Sequence, residues 1–151
     1  MTEEEQSWHR KVAVGAFNQT WDWMEKAERT PHENDTMLNT AHASRYHWEL
    51  VGNAENLAVG EWQIARVYTL LGRSEPALYH AKRAVEICVE NGITNFALAY
   101  GWEAVARAES MAGHKGQALE SIVKAKEVGE SLDEETRQRL WDDLNTIGAS
   151  E

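Results

Sequence analysis

The sequence contains little cysteine and little proline, and both shortages limit the classes of protein to which the chain can belong. Only one of its 151 residues is cysteine, Cys88, so no disulfide can form within the chain, and only two are proline. The opening stretch MTEEEQ has neither the basic region nor the apolar run of a secretory signal. No uncharged apolar run approaches the roughly 18 residues of a membrane-spanning helix. We therefore expect a cytoplasmic protein with a reduced thiol and no membrane association.

Basic residues are also scarce. The chain has 15 lysines and arginines against 25 aspartates and glutamates, a net charge of −10. This charge opposes binding to phosphate backbones and to anionic lipid, so we expect no nucleic-acid partner. Motifs of catalysis are missing as well, since there is no glycine-rich phosphate loop, paired-cysteine zinc pattern or G-x-S-x-G turn. The sequence therefore contains no motif that indicates an enzyme, a cofactor or a bound metal.

The apolar residues of the chain recur with the period of an α-helix. Apolar residues make up 42% of the chain, enough for one core. The stretch TPHE at residues 30–33 is typical of a capped helix start, and glycines follow several apolar stretches. We predict an all-α domain over residues 1–151, with helices near 5–29, 31–51, 54–71, 75–91, 96–112, 115–130 and 133–147. Short joints predict antiparallel hairpins near 5–52, 54–92 and 96–130, followed by the closing helix 133–147.

The chain matches itself after a shift of 41 residues. The shift superposes identical small residues: Ala65 on Ala106, Gly72 on Gly113, and Ala84 on Ala125. Small residues at turns and helix contacts permit close packing, where little else fits. A weaker match continues one step back toward the N-terminus. The self-match predicts three helical hairpins that stack on one another.

One stretch of the repeat resembles the tetratricopeptide repeat (TPR). The residues that carry the resemblance are Ile64, Ala65, Tyr68, Gly72, Ala77, Leu78, Ala81 and Ala84. The period of 41 exceeds the roughly 34 residues of the standard repeat, which predicts longer helices. The resemblance implies a TPR-like right-handed solenoid that binds a protein or peptide partner. Because the ends of so short a solenoid leave apolar faces uncovered, a homodimer is a further expectation.

The resemblance also implies where a partner would bind, because the first helix of each TPR hairpin lines the concave face. Applied here, it gives a predicted binding groove of Trp21, Glu25, Trp62, Arg66, Tyr100, Glu103 and Arg107, with Asn18 and Val59 at the level of Tyr100. Indoles offer apolar area and guanidiniums a planar fork for a carboxylate. An extended peptide with an acidic group or a free C-terminus would suit this surface. The alternative is that Arg66 and Arg107 only form internal ion pairs with Glu25 and Glu103.

A second candidate site lies in the second predicted helix. There His42, Arg45, Tyr46 and His47 concentrate imidazole, guanidinium and phenol groups. They could serve a small-ligand sensor or an enzyme, since histidine titrates near neutral pH. The alternative is that they bridge neighbouring helices through hydrogen bonds. The two histidines are five residues apart, whereas helical metal ligands are typically three or four apart, so we expect no tight zinc or iron site.

Two further expectations concern single residue types. Cys88 lies on the apolar stripe of the fourth predicted helix, which indicates a buried side chain rather than a reactive thiol. Seven tryptophans are too many for core filling alone, so we expect at least one of them to be exposed or at an interface.

Overall fold

The computed structural model describes residues 1–148, and over that range it contains seven α-helices and no β-strand. The helices are α1 (Glu3–Glu25), α2 (Pro31–Val51), α3 (Ala54–Leu70), α4 (Ser74–Glu90), α5 (Phe96–Met111), α6 (Lys115–Gly129) and α7 (Glu134–Leu144). The predicted all-α class and the number of helices are therefore confirmed. None of these helices is long and apolar enough to cross a bilayer.

The first helix ends earlier than its sequence predicts. It stops at Glu25, four residues before the expected end at residue 29. The Arg29 guanidinium instead donates to the backbone oxygens of Trp23 and Lys26, at 3.3 and 3.0 Å. These bonds add a side-chain donor to backbone oxygens at the helix end, where intrahelical donors run out. The next helix begins as predicted, with a capping box between Thr30 and Glu33 and proline at its first position.

The turns at Gly72 and Gly113 have the same backbone structure. Both glycines have positive φ, 73° and 84°, a conformation that favours glycine. In each turn the following residue donates its N–H to an oxygen five residues back: Arg73 to Tyr68 and His114 to Glu109, both at 2.9 Å. This is the Schellman arrangement of a helix end. The sequence match at 41 residues thus extends to matching backbone hydrogen bonds.

Consecutive helices pack against each other as antiparallel pairs. The pairs α1–α2, α3–α4 and α5–α6 have the most extensive contacts, and α2–α3 and α4–α5 join them. Helix α3 also contacts α5, whereas α1 meets α3 only sparsely, and α7 rests on α5 and α6. Small residues allow close approach, since a side chain at Gly101 would lie 3.0 Å from Val85. The odd-numbered helices consequently share one face of the molecule.

Both expectations about single residue types are confirmed. Cys88 is completely buried, and its burial raises the pKa of the thiol to about 11, so the reactive thiolate is disfavoured. Trp8 is 58% exposed on α1.

Candidate functional site

A groove of about 780 Å³ lies on the face that the odd-numbered helices share. Its walls come from α1, α3, α5 and α7, together with the turn before α7. The groove-lining residues discussed below are Phe17, Trp21, Val59, Trp62, Arg66, Tyr100, Glu103, Arg139 and Asp143. The volume falls within the range of ordinary ligand sites.

Four aromatic side chains cross this groove from α1 to α5, and we call them the aromatic ladder: Phe17, Trp21, Trp62 and Tyr100. Ring centroids are 6.4 Å apart for the first pair and 5.6 Å apart for each of the next two. The first and third pairs are close to perpendicular, an arrangement that aromatic rings favour. All four side chains are partly exposed. The ladder therefore offers a row of apolar surface to a ligand.

Glu103 forms the floor of the groove beside the ladder. It is only 2% exposed, and its carboxylate is well supplied with donors. Arg107 donates to Oε1 through Nε at 3.0 Å and Nη2 at 2.9 Å, and the Trp62 indole donates to Oε2 at 3.3 Å. A buried carboxylate requires such partners. Glu103 thus fixes both the indole and the Arg107 guanidinium.

Arg66 lies at the same level but is less fully engaged. Its Nη1 is 3.9 Å from Glu103 Oε1, too long for a hydrogen bond, and within residues 1–148 its guanidinium makes none. Burial, and then the nearby charge of Arg107, lower the pKa of Arg66, although Glu103 opposes this. The half-buried cation therefore has unused donors facing the groove.

Helix α7 closes the far side of the groove. The Tyr100 hydroxyl donates to Asp143 Oδ2 at 2.7 Å, and burial followed by this contact raises the pKa of Tyr100. Arg107 Nη2 donates to the backbone oxygen of Asp143 at 2.9 Å and to Thr146 Oγ1 at 2.8 Å. The sequence interpretation did not include Asp143 or Arg139. A further step of 41 residues from α5 would have indicated that α7 lies on the same face.

The structure brings together most, but not all, of the predicted groove. Trp21, Trp62, Arg66, Tyr100 and Glu103 line it. Glu25 is an exposed residue outside the lining, and Phe17 rather than Asn18 lines the groove from α1. Arg107 is not part of the lining either, because it is directed to Glu103 and the end of α7. The predicted pairing with Glu103 therefore occurs for Arg107 at 2.9 Å and, at the longer distance of 3.9 Å, for Arg66, whereas neither arginine pairs with Glu25.

The second candidate site divides into two groups, the first of which faces α3 and α4. His42 Nε2 lies 3.2 Å from the Tyr68 hydroxyl. Arg45 Nε donates to Glu61 Oε1 at 3.1 Å, and His80 Nδ1 donates to Glu61 Oε2 at 2.6 Å. Glu61 is buried, and although burial alone would raise its pKa, the His80 and Arg45 contacts together lower it. These bonds bridge three helices.

The second group faces α1. His47 Nδ1 and His9 Nδ1 are 2.8 Å apart, so one imidazole donates to the other. Burial, and then His9, lower the pKa of His47. Tyr46 is 57% exposed, and its ring lies 5.6 Å from the His47 ring at an angle of 74°. His42, Arg45, Tyr46 and His47 therefore do not form one pocket.

Among residues 1–148, no three or more histidine, cysteine, aspartate or glutamate side chains are grouped closely enough to hold a metal ion. Comparison with protein-family models, with curated proteins and with solved structures found no match to this chain. The function is therefore inferred from the geometry of the groove and its residues.

Proposed function

We propose that this protein is a cytoplasmic binding module whose groove receives an extended peptide from a partner protein. The observation that carries the proposal is the aromatic ladder, which reaches an arginine with unused donors. Tryptophan and tyrosine supply large contact areas at a low entropic cost, and arginine recognises carboxylates through its planar fork. An acidic group or free C-terminus on the peptide would meet Arg66.

The charge that supports an anionic ligand group is that of Arg66. Arg66 and Arg139 line the groove together with the carboxylates Glu103, Asp133 and Asp143, so the lining as a whole is not cationic. Glu103 and Asp143 already accept hydrogen bonds from Arg107 and Tyr100, and the charge of Arg139 acts on Asp133. An acidic ligand group would therefore be recognised at Arg66 in particular, which selects ligands by charge as well as by shape.

The proposal includes a TPR-like arrangement of the hairpins as a right-handed solenoid. The matching Schellman turns at Gly72 and Gly113 support a structural repeat of 41 residues. Helix α7 covers α5 and α6 as a closing helix would. In such an arrangement the groove is the concave face of the solenoid.

The test is a selection of random decapeptides with free C-termini on the immobilised protein. Selected peptides are then measured by titration calorimetry, both as acids and as C-terminal amides. We expect Trp62→Ala and Arg66→Ala to weaken binding at least about tenfold, or about 1.4 kcal/mol. Arg83→Ala is the matched control, because this arginine pairs with Glu86 on α4, away from the groove. Unchanged binding by both groove variants would contradict the proposal.

Arg66 and Arg107 should behave differently in this experiment. Arg66→Ala removes no hydrogen bond to residues 1–148, so the thermal midpoint should change little. Arg107→Ala removes the bonds to Glu103, Asp143 and Thr146, so it should lower the midpoint as well as weaken binding. If Arg66→Ala lowers stability and leaves binding intact, this arginine is structural and the groove is not the binding site.

A further inference from the structure

Three helices meet at a cluster of titratable side chains on the side of α3 away from the groove. We call this cluster the joint, and its members are His42, Arg45, Glu61, Tyr68 and His80. The His42 and His80 ring centroids are 5.5 Å apart, and the Tyr68 and His80 rings are stacked at 5.7 Å. The joint connects α2, from the first hairpin, with both helices of the second hairpin.

The hydrogen bond between His42 and Tyr68 depends on the charge of the imidazole. In the neutral tautomer that carries its proton on Nδ1, Nε2 presents a lone pair to which the Tyr68 hydroxyl can donate. In the protonated ring Nε2 carries a proton and can only donate, so the Tyr68 hydroxyl would have to turn and accept. The new positive charge would also face His80 at close range. Protonation of His42 therefore works against the packed geometry.

The other charges near His42 do not provide a free carboxylate to compensate it. From α3 it faces Glu61, which is already bonded to Arg45 and His80. From the turn before α4, Arg73 lies over the Tyr68 ring at 5.3 Å. Arg83 on α4 and Glu49 on α2 belong to the surrounding network: Arg83 interacts with Glu61 over a longer range, and Glu49 pairs with Arg45 at 3.5 Å.

From α1, the contact with this part of α2 is uncharged, because Ser44 donates to the backbone oxygen of Ala13. Protonation of His42 would therefore add a cation beside His80 and Arg45, while the nearby carboxylates Glu61 and Glu49 are already engaged.

The joint controls the position of one wall of the groove. Helix α1 carries Phe17 and Trp21 and packs extensively on α2, but its contacts with α3 are few. Helix α1 meets α3 directly where Gln63 Nε2 donates to the Phe17 backbone oxygen at 3.0 Å, and apart from such contacts its position relative to α3 depends on how α2 is attached to α3 and α4. On α3, Glu61 belongs to the joint and the next residue, Trp62, belongs to the groove. A movement of the joint side chains would therefore also displace Trp62 relative to Trp21.

We propose that the joint is an acid-sensitive connection that holds the groove in its binding geometry, so that protonation of His42 opens the groove and releases the peptide. The release of peptide depends on the function proposed above, whereas the opening does not. Burial, and then the charge of His80, lower the pKa of His42 below its ordinary value of 6.5, although Glu61 opposes this. The closed form consequently prefers neutral His42, and its advantage is lost as the pH falls below 6.5.

The opening can be measured without any ligand. Protein labelled with 5-fluorotryptophan is followed by ¹⁹F NMR from about pH 8 to about pH 5, the range in which histidine titrates. We expect the Trp21 and Trp62 signals to shift together, with a midpoint below 6.5. His42→Gln should abolish this transition, because glutamine can accept the Tyr68 hydrogen bond but does not titrate. Tyr68→Phe should move the midpoint to a higher pH, since it removes the donor that favours neutral His42.

His47→Gln is the matched control, because His47 is on the same helix and also has a lowered pKa but contacts α1. It should leave the transition in place. Persistence of the transition in His42→Gln, or its loss in His47→Gln, would overturn the proposal.

The consequence for binding is tested with the tightest decapeptide from the selection. Its affinity should fall about tenfold between neutral pH and pH 5.5 for the wild type, and should change less than about twofold for His42→Gln. A ¹⁹F transition together with pH-independent binding would refute release while leaving the opening intact. A failed selection would refute the proposed function, and the ¹⁹F experiment would still decide whether the joint opens.

Discussion

The second and third hairpins both carry a glutamate next to a tryptophan at matching positions, but the order of the two residues is reversed. On α3 the order is Glu61 and then Trp62, and on α5, 41 residues later, it is Trp102 and then Glu103. In the second hairpin the glutamate faces α2 and α4, and the tryptophan faces the groove. In the third, the glutamate faces the groove, while Lys124 of α6 lies over the tryptophan ring at 4.4 Å.

The exchange gives the two buried carboxylates different partners. Glu61 is held by one arginine and one histidine, and the imidazole of His42 lies beside that histidine. Glu103 is held by an arginine and an indole, and neither titrates near neutral pH. The comparison teaches that one repeat position can hold a carboxylate bonded to arginine and histidine in one hairpin, and a carboxylate bonded to arginine and tryptophan at the floor of the groove in the other. The four predictions below test this difference, in order of decreasing effect.

The largest effect is expected from Glu103→Ala. The change leaves Arg107 and the Trp62 indole without their acceptor in a buried place, and losing one partner of a buried pair costs about 3–5 kcal/mol. Urea denaturation measures the free energy of unfolding. Glu103→Gln is the control, because its amide oxygen can still accept, and it should cost less. A loss below about 1 kcal/mol for the alanine variant would mean that Glu103 is not a structural centre.

Glu61→Gln should have a smaller effect that depends on pH. At neutral pH it weakens two charge-assisted hydrogen bonds, for an expected loss of about 1–3 kcal/mol. The folded-state pKa of Glu61 lies below its ordinary value of 4.5, so its stabilising contribution is present above that value and is lost as the pH falls through the folded pKa. The difference in stability between wild type and variant should therefore close in strong acid. A difference that stays constant with pH would contradict this account of the histidine–carboxylate contact.

Trp62→Phe should cost about 1 kcal/mol of unfolding free energy. The phenyl ring keeps much of the apolar contact but loses the hydrogen bond to Glu103 Oε2. Near-ultraviolet circular dichroism should also lose signal from the coupled Trp21–Trp62 pair. If stability is unchanged while the dichroism changes, the indole N–H contributes nothing to the buried carboxylate.

Lys124→Ala should have the smallest effect, about 0.5 kcal/mol. Lys124 is exposed, and a cation over an aromatic ring contributes little where water competes. Thermal unfolding of this variant beside Glu61→Gln compares the contacts made at one repeat position, because Trp102, which Lys124 covers, lies 41 residues after Glu61. A loss as large as that of Glu61→Gln would remove the distinction between them.

The hydrophobic period, the capping residues and the glycine turns were sufficient to predict the class and number of helices. The predicted end of α1 was wrong because residues 26–29 contain no helix-breaking residue, whereas the Arg29 guanidinium turns back onto the backbone oxygens of Trp23 and Lys26. Propensity and period describe a helix in isolation, so they do not detect such contacts.

The groove was predictable where the 41-residue step applies, since Trp21, Trp62 and Glu103 lie at one level. Asp143 was missed because α7 was treated as a closing element rather than as a further wall of the groove. Glu61 and His80 were missed for another reason. Each looks like an ordinary polar helix residue, and their contact depends on how three helices cross.

The sparse contact between α1 and α3 has a consequence for how the proposed peptide would enter the groove. Regions with few buried contacts open locally at a lower free energy than the rest of a fold. Helix α1 packs on one main neighbour, whereas α3 and α5 each pack on several. Amide hydrogens of α1 should therefore exchange with solvent sooner than those of α3. An extended chain could then enter sideways as this wall moves outward, without threading from either end.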